Sequence, residues 1–277
     1  MTQVRKRGAV PNIMPATVNV RRSYADCRYG QMHVATAYPS GGGFDERTPL
    51  ICLHHAGGSN RAFSALLPEL GRDRSVYAVD LPGHGSSDAA TGSPTIADYA
   101  GAVGDFVTSL RIRTFDVFGV ESGALIAAEI TATRGQQVRR AVLLSIPYAS
   151  QTVRQIAPRG ELNSESNIAE DWLKFSARAT NMSAAAAQSA FADHLRSGAG
   201  ETNLRAAMQE YPVAQRLPLM RLPTLVICPS DEFREQTLRA KSCLSQGSLV
   251  ELADQGNHAL MAAPLKIAQL TRDFLDR

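Results

Sequence analysis

Short apolar segments alternate with longer amphipathic segments along the chain from residue 49 onward. Apolar runs of four or five residues are typical of strands that are buried on both faces of a parallel sheet. We predict such strands at residues 50–53, 76–79, 115–118, 141–144, 224–228 and 248–252. We predict helices at residues 61–70, 96–110, 124–133, 235–244 and 264–275. This order of elements indicates βαβ units and an α/β fold.

The alternation is preceded by a predicted hairpin and interrupted once by a predicted insertion. Residues 23–28 and 32–37 form two predicted strands around Gly30, a turn residue that tolerates positive φ. Between Tyr148 and Leu222 the pattern is mainly helical. An insertion between parallel strands is expected to cover the carboxyl edge of the sheet, where ligands bind in open α/β folds. We therefore expect a polar N-terminal arm (1–22), a core (23–147 and 223–277) and a helical lid (148–222).

Composition narrows the class of protein further. With 277 residues, 44% of them hydrophobic and 20% charged, the chain fits one globular core with a local insertion. The 29 basic and 26 acidic residues form no long basic run, so nucleic-acid binding has no support. No apolar run approaches the roughly 18 residues of a membrane span. Four scattered cysteines without CxxC spacing indicate free thiols in a reducing cytoplasm. A small-molecule substrate is the expected partner, and a homodimer is compatible with this composition.

The strongest chemical signal is a tight turn between the strand at 115–118 and the helix that follows it. Gly119 and Gly123 lie two positions either side of Glu121. Small residues at this spacing allow a strained turn that presents one side chain above the sheet. The presented side chain is therefore expected to be Glu121, and Ser122 comes one residue too late.

This turn and four further segments resemble the motifs of the α/β-hydrolase superfamily from Ser23 to the C-terminus. The four segments are an oxyanion-type loop at 53–59, a turn at 80–88, a strand end at 228–232 and a histidine segment at 254–258. The resemblance implies an α/β-hydrolase fold in which glutamate replaces the usual serine nucleophile. It also implies an altered triad of Glu121, His258 and Asp231, in the superfamily's chain order. Glu232 remains an alternative to Asp231 as the acid.

The role of Glu121 stays open between three mechanisms. It could attack carbon directly, as aspartate does in dehalogenases and epoxide hydrolases, although its extra methylene would displace the carboxylate. It could act with His258 as a general acid or base, which favours hydrolysis or a proton-transfer lyase or isomerase reaction. Alternatively, Ser122 could be the nucleophile after a one-residue shift. We expect a hydrolase of an ester, thioester or lactone bond, and a catalytically silent binding protein is the alternative outside enzymes.

Several other residues are candidates for supporting roles. The backbone amides of Ala56 and Ser122 are expected to form the oxyanion hole. His55 stands where the superfamily usually has glycine, in a loop that resembles that of type II thioesterases. The candidates for contacts with the substrate are His55, Arg61, Tyr148 and Trp172. No metal or organic cofactor is expected, because the histidines lack ligand spacing and the glycine turns do not match the GxGxxG fingerprint.

Overall fold

One mixed sheet forms the centre of the molecule. The computed structural model describes residues 18–40, 46–148, 167–179 and 181–277. Its strands are β1 (Val18–Cys27), β2 (Gly30–Pro39), β3 (Arg47–Leu53), β4 (Arg74–Val79), β5 (Phe115–Val120), β6 (Val138–Leu144), β7 (Thr224–Pro229) and β8 (Gly247–Leu252). They lie side by side in the order β1-β2-β4-β3-β5-β6-β7-β8. Only β2 runs antiparallel to its two neighbours, so the predicted, mostly parallel α/β sheet is confirmed.

The predicted hairpin is present, but its strands are longer than expected. Cys27 pairs with Gly30, whose φ is +106°, across a two-residue turn. The first strand already begins at Val18. Residues 18–22 therefore belong to the sheet and correct the predicted boundary of the polar arm, whereas residues 1–17 lie outside the described part of the chain.

Helices flank both faces of the sheet. They are α1 (Leu67–Leu70), α2 (Ile96–Ser109), α3 (Ser122–Arg134), α4 (Ile168–Arg178), α5 (Ala184–Glu210), α6 (Val213–Arg216), α7 (Arg234–Ser242), α8 (Ala259–Ala262) and α9 (Pro264–Leu275). The helix predicted at 61–70 was wrong as one element. A 3₁₀ turn at Asn60–Phe63 precedes α1, and Pro68 lies in the first turn of α1. Proline is tolerated there because the first helical amides need no intrahelical acceptor.

Two apolar cores lie on opposite faces of the sheet. Leu50 and Cys52 of β3 face the core that includes residues of α1 and α9. Ile51 and Leu53 face the core that includes residues of α2 and α3. All four side chains are fully buried, as expected for a strand covered on both faces. The sheet is thereby fixed, and its carboxyl edge can hold side chains in defined positions.

The helices α4, α5 and α6 lie between β6 and β7, where the insertion was predicted, and we call them the insert helices. Helix α5 is interrupted at Gly198, whose φ and ψ are 40° and −117°. Gly200 then packs on Gly83, and a side chain at Gly200 would overlap the carbonyl group of Gly83. Residues 149–166 and 180 are outside the described ranges, so the lid boundaries stay a prediction. Within those ranges no helix is long and apolar enough to cross a membrane.

Candidate active site

The strained turn predicted from sequence is centred on Glu121. Its φ and ψ are 50° and −114°, and helix α3 begins at the next residue. A side chain at Gly119 would overlap the backbone of Gly123, and one at Gly123 would overlap the carbonyl of Leu53. The two glycines are therefore required for the close approach of strand, turn and loop. Positive φ is costly for a residue with a side chain and persists only where the surroundings enforce it.

The Glu121 side chain lines a narrow cavity at the carboxyl edge of the sheet. His55, Ser145, Asp231 and His258 line the same cavity. Its remaining walls are apolar and consist of Val120, Leu144, Ala259, Leu260 and Met261. The structure therefore brings together the three residues of the predicted triad, together with one serine that the sequence did not indicate.

Asp231 follows β7 and is held by two hydrogen bonds. The Ser145 hydroxyl donates to Oδ2 at 2.5 Å, and the Phe233 amide donates to Oδ1 at 2.9 Å. Burial raises the pKa of Asp231 to about 6; the negative charge of Glu121 also raises it, whereas the Ser145 hydrogen bond opposes the rise. Glu232 is exposed and pairs with Arg178 of α4 at 2.8 Å. The geometry therefore favours Asp231 over Glu232 as the acid of this cavity.

His258 lies beneath the insert helices. It precedes α8 in a left-handed conformation with φ 61° and ψ 29°. Its ring centroid is 5.6 Å from that of Phe175 in α4 and 6.4 Å from that of His55. Phe175 thus covers the imidazole from the side of the insert, and the apolar cover reduces the access of bulk water to the histidine.

The loop at 54–58 differs from the predicted oxyanion hole in one respect. The Ala56 amide donates to the Ser122 hydroxyl at 2.8 Å. Both residues are buried, and Ser122 has no exposed surface. The Ser122 side chain therefore faces the loop, and a substrate oxygen would have to compete with it for the Ala56 amide. The Ser122 amide, as the first of α3, has no acceptor within the helix.

His54 and His84 are neutral structural residues beneath this loop. The Leu81 amide donates to His54 Nε2 at 3.0 Å, so His54 Nδ1 carries the proton and donates to the His55 carbonyl at 2.7 Å. Burial lowers the pKa of His54 to about 4 and that of His84 to about 3. Neither histidine is charged near neutral pH, and the hydrogen bonds of His54 fix the backbone of His55.

The predicted contact residue Arg61 is engaged within the protein. Its guanidinium forms an ion pair with Asp193 of α5, with Nε 2.9 Å from Oδ1. Asp193 is 2% exposed and also accepts a hydrogen bond from Ser59 at 2.6 Å. Arg61 therefore ties the oxyanion-type loop to the insert, rather than offering an unpaired cation to a substrate.

Tyr148 and Trp172 lie outside the narrow cavity. The Tyr148 hydroxyl is 3.8 Å from the Cys243 thiol, next to α7. Trp172 packs its ring on Phe175 and Phe191, at centroid distances of 6.3 Å and 5.2 Å. Phe175 in turn packs its ring on that of His258.

A wider cavity of about 220 Å³ lies between the narrow cavity and the insert helices and is open to solvent. We call it the outer cavity. His55 and His258 belong to both cavities. Glu201 lines it and accepts hydrogen bonds from His194 at 2.6 Å and from Arg205 at 2.7 Å. Although burial opposes ionisation, these partners hold the pKa of Glu201 at about 2.

Sequence reasoning missed Ser145 and the insert residues Asp193 and Glu201. Ser145 follows β6 at the carboxyl edge, and its φ of 55° is rare for serine. Its place directly after a buried strand was an available signal. Among the described residues, no group of three or more His, Cys, Asp or Glu side chains is arranged to hold a metal ion.

The fold and this site define an α/β hydrolase. A sequence model of the alpha/beta hydrolase family matches residues 50–270, and the chain belongs to that family. It is 28% identical over 244 residues to 2-succinyl-6-hydroxy-2,4-cyclohexadiene-1-carboxylate synthase of Pectobacterium atrosepticum. That alignment covers 82% of this chain and 93% of the synthase. It is 22% identical over 243 residues to (E)-2-((N-methylformamido)methylene)succinate hydrolase of Acinetobacter baylyi, which covers 83% and 91%. The enol-lactonase of Burkholderia xenovorans has a TM-score of 0.77 at 18% identity, covering 92% of this chain and 100% of that one.

Proposed function

We propose that this protein is a cofactor-free hydrolase of ester, thioester or lactone bonds in small organic molecules, in which Glu121, His258 and Asp231 carry out the chemistry. The observation that supports this most directly is the backbone of Glu121, which presents a carboxylate in the same narrow cavity as the other two residues. Relatives that are named as a hydrolase and as an enol-lactonase support hydrolytic chemistry on this fold.

In this proposal Glu121 is a general base. Burial and the charge of Glu121 both raise the pKa of Asp231, so the pair of carboxylates retains a proton to a higher pH than isolated acids do. A water molecule loses a proton to Glu121 and attacks the carbonyl carbon, and His258 gives a proton to the leaving alkoxide or thiolate. Asp231 orients His258 and stabilises its charged form.

The first test is a panel of 4-nitrophenyl esters, acyl thioesters and lactones, assayed with the wild type, E121Q and E235Q. Glutamine keeps the shape of Glu121 but cannot take the proton, so we expect at least a roughly 100-fold loss of kcat. Glu235 is 79% exposed on α7, so E235Q is the matched control and should retain full activity. An E121Q variant as active as E235Q would refute the assignment of Glu121.

Two measurements separate the proposed base from the alternative nucleophiles. A fluorophosphonate probe should leave no adduct on the wild type, because the Ser122 hydroxyl is buried against the Ala56 amide. An adduct that disappears in S122A would instead make Ser122 the nucleophile. Single turnover in H₂¹⁸O should leave the Glu121 carboxylate unlabelled, and ¹⁸O in the Glu121 peptide would indicate direct attack by this residue.

A second candidate is a lyase that removes a proton from carbon. The two adjacent carboxylates would serve this reaction as well, and one relative is named as a synthase and is 28% identical over 93% of its length. Proton NMR of a carbonyl compound with an acidic C–H in D₂O distinguishes the two reactions. Exchange that depends on Glu121, without release of a carboxylic acid, would favour the lyase.

A further inference from the structure

A groove beside the narrow cavity has no part in the chemistry proposed so far. Residues of the segment 58–65 line one side of it and residues of the first turns of α5 line the other. We call it the side groove. Alanines from both sides form much of its wall, namely Ala62, Ala65, Ala185, Ala186 and Ala190. Its volume is about 280 Å³. Since one water molecule needs about 10–15 Å³ by a comparable measure, the groove accepts an organic group of several carbon atoms.

The side groove adjoins the narrow cavity at one end. His55 and Met261 line both spaces. At the other end the groove reaches solvent, because Ala65 and Ala185 are exposed. A substrate that is held at Glu121 can therefore place one of its substituents in the side groove.

The charged groups that line the side groove neutralise each other. Arg61 Nε donates to Asp193 Oδ1 at 2.9 Å. The Ser59 hydroxyl donates to Asp193 Oδ2 at 2.6 Å. Because the guanidinium and the carboxylate are compensated within the protein, the groove favours an uncharged group over a carboxylate or an ammonium.

The shape of the side groove favours a straight chain. The lining residues of α5 extend from Ala185 to Asp193, which is about 12 Å along the helix axis at 1.5 Å per residue. Ala186 and Ala190 are one turn apart on the same face of α5, so their methyl groups form a strip without large side chains. An unbranched alkyl chain can lie along such a strip and contact it over its whole length.

The position of His258 decides which part of the substrate enters the side groove. His258 lines the narrow cavity and the outer cavity. In the proposed function it protonates the leaving group, which therefore extends towards the outer cavity. Lys174 and Arg178 also line the outer cavity, which suits a polar leaving group. The acyl side of the substrate is then directed into the side groove.

We propose that the side groove is the acyl-binding subsite and that the protein acts on esters or thioesters of unbranched aliphatic acids. The inference rests on the proposed hydrolysis and names the substrate class for it. Ala186 and Ala190 determine specificity, because their small side chains keep the groove open. A large side chain at position 186 should therefore fill the space that the acyl chain occupies.

The test compares A186F and A186L with the matched control A192F, since Ala192 is an exposed alanine on the same helix. The substrates are 4-nitrophenyl esters of straight-chain acids from acetate to octanoate. In the wild type, kcat/KM should rise by up to about 4-fold per methylene, because one buried methylene contributes about 0.8 kcal/mol. The ratio of kcat/KM for octanoate to that for acetate should fall by about 10-fold or more in A186F. It should fall less in A186L and stay at the wild-type value in A192F. Circular dichroism verifies the fold of each variant.

A wild-type ratio in both A186F and A186L, or a wild type whose kcat/KM does not rise with chain length, would overturn the acyl subsite and leave the proposed hydrolysis intact. Calorimetric binding of octanamide and butanamide tests the groove without turnover. We expect octanamide to bind more tightly than butanamide to the wild type and to A192F, and A186F to lose this difference. If the wild type shows the difference but hydrolyses none of the esters, the proposed hydrolysis is rejected and the groove remains a site for aliphatic chains. Equal affinity of the wild type for the two amides would reject the groove, whether or not the esters are hydrolysed.

Discussion

The protonation of Asp231 leads to a prediction about stability. Burial raises the pKa of Asp231 to about 6 in the folded protein, whereas an aspartate in an unfolded chain titrates near 4. A raised folded-state pKa contributes stability that is present below pH about 4 and is lost as the pH rises through about 6. Since one pKa unit corresponds to about 1.4 kcal/mol, the loss approaches about 3 kcal/mol as an upper limit.

The variant D231N removes the titrating group. Any change in the hydrogen bonds to Ser145 and Phe233 shifts its stability by an amount that does not depend on the Asp231 pKa. The unfolding free energy of D231N minus that of the wild type should therefore increase by up to about 3 kcal/mol from pH 4 to pH 8. Activity should fall in the same variant, because under the proposed function Asp231 orients His258 and stabilises its charged form.

Urea denaturation followed by far-ultraviolet circular dichroism at intervals between pH 4 and pH 8 measures this difference. Circular dichroism is preferable to fluorescence because Trp172, the single tryptophan, lies on an insert helix and reports on that region. The control E235Q alters an exposed carboxylate and should differ from the wild type by a constant amount. A flat difference for D231N, or one that moves in favour of the wild type with rising pH, would show that burial of Asp231 is not what limits its ionisation.

Three further predictions follow from the contacts described. S145A should move the acidic limb of the pH–rate profile upward from about pH 6 by about one unit, because the lost hydrogen bond to charged Asp231 is worth about 1.5 kcal/mol or more. R216A should destabilise the fold by about 3 kcal/mol in urea denaturation, because buried Glu129 loses two hydrogen bonds of 2.7 Å from the Arg216 guanidinium. E201Q should lower the melting temperature at pH 7 but not at pH 2, because the depressed pKa of Glu201 contributes stability that is lost as the pH falls through about 2.

The sheet and the turn at Glu121 could be predicted from sequence because their signals are local. Each predicted apolar run lies within a strand, since residues buried on both faces leave a continuous apolar segment. The turn was predictable because only small residues fit at Gly119 and Gly123. The helix expected at 61–70 failed for a local reason as well, since the apolar pattern does not distinguish a 3₁₀ turn followed by a short helix from one longer helix.

The contacts between the loop and the insert could not be predicted from sequence. Ser59 and Asp193 are 134 positions apart, and their hydrogen bond depends on how α5 packs against the loop that contains Ser59. The Ala56 amide and the Ser122 hydroxyl are 66 positions apart. The sequence predicted that the Ala56 amide donates to a substrate oxyanion, because the Ser122 hydroxyl could not be recognised as its acceptor from sequence alone. Such pairings arise from packing rather than from periodicity, and they decide which donors a substrate can reach.

The effects of Glu121 and Ser122, the two adjacent residues of the strained turn, depend on each other. A hydroxyl at position 122 occupies the Ala56 amide, and a carboxylate at position 121 adds a second acid beside Asp231. In a serine hydrolase the nucleophile needs a base and the oxyanion needs the loop amides. Under the proposed function the first of these needs changes, because Glu121 activates water and no serine nucleophile is required. Replacing Glu121 by serine alone would then supply a nucleophile to a site whose Ala56 amide is still engaged, so we expect E121S to gain little esterase activity unless Ser122 is also replaced by alanine.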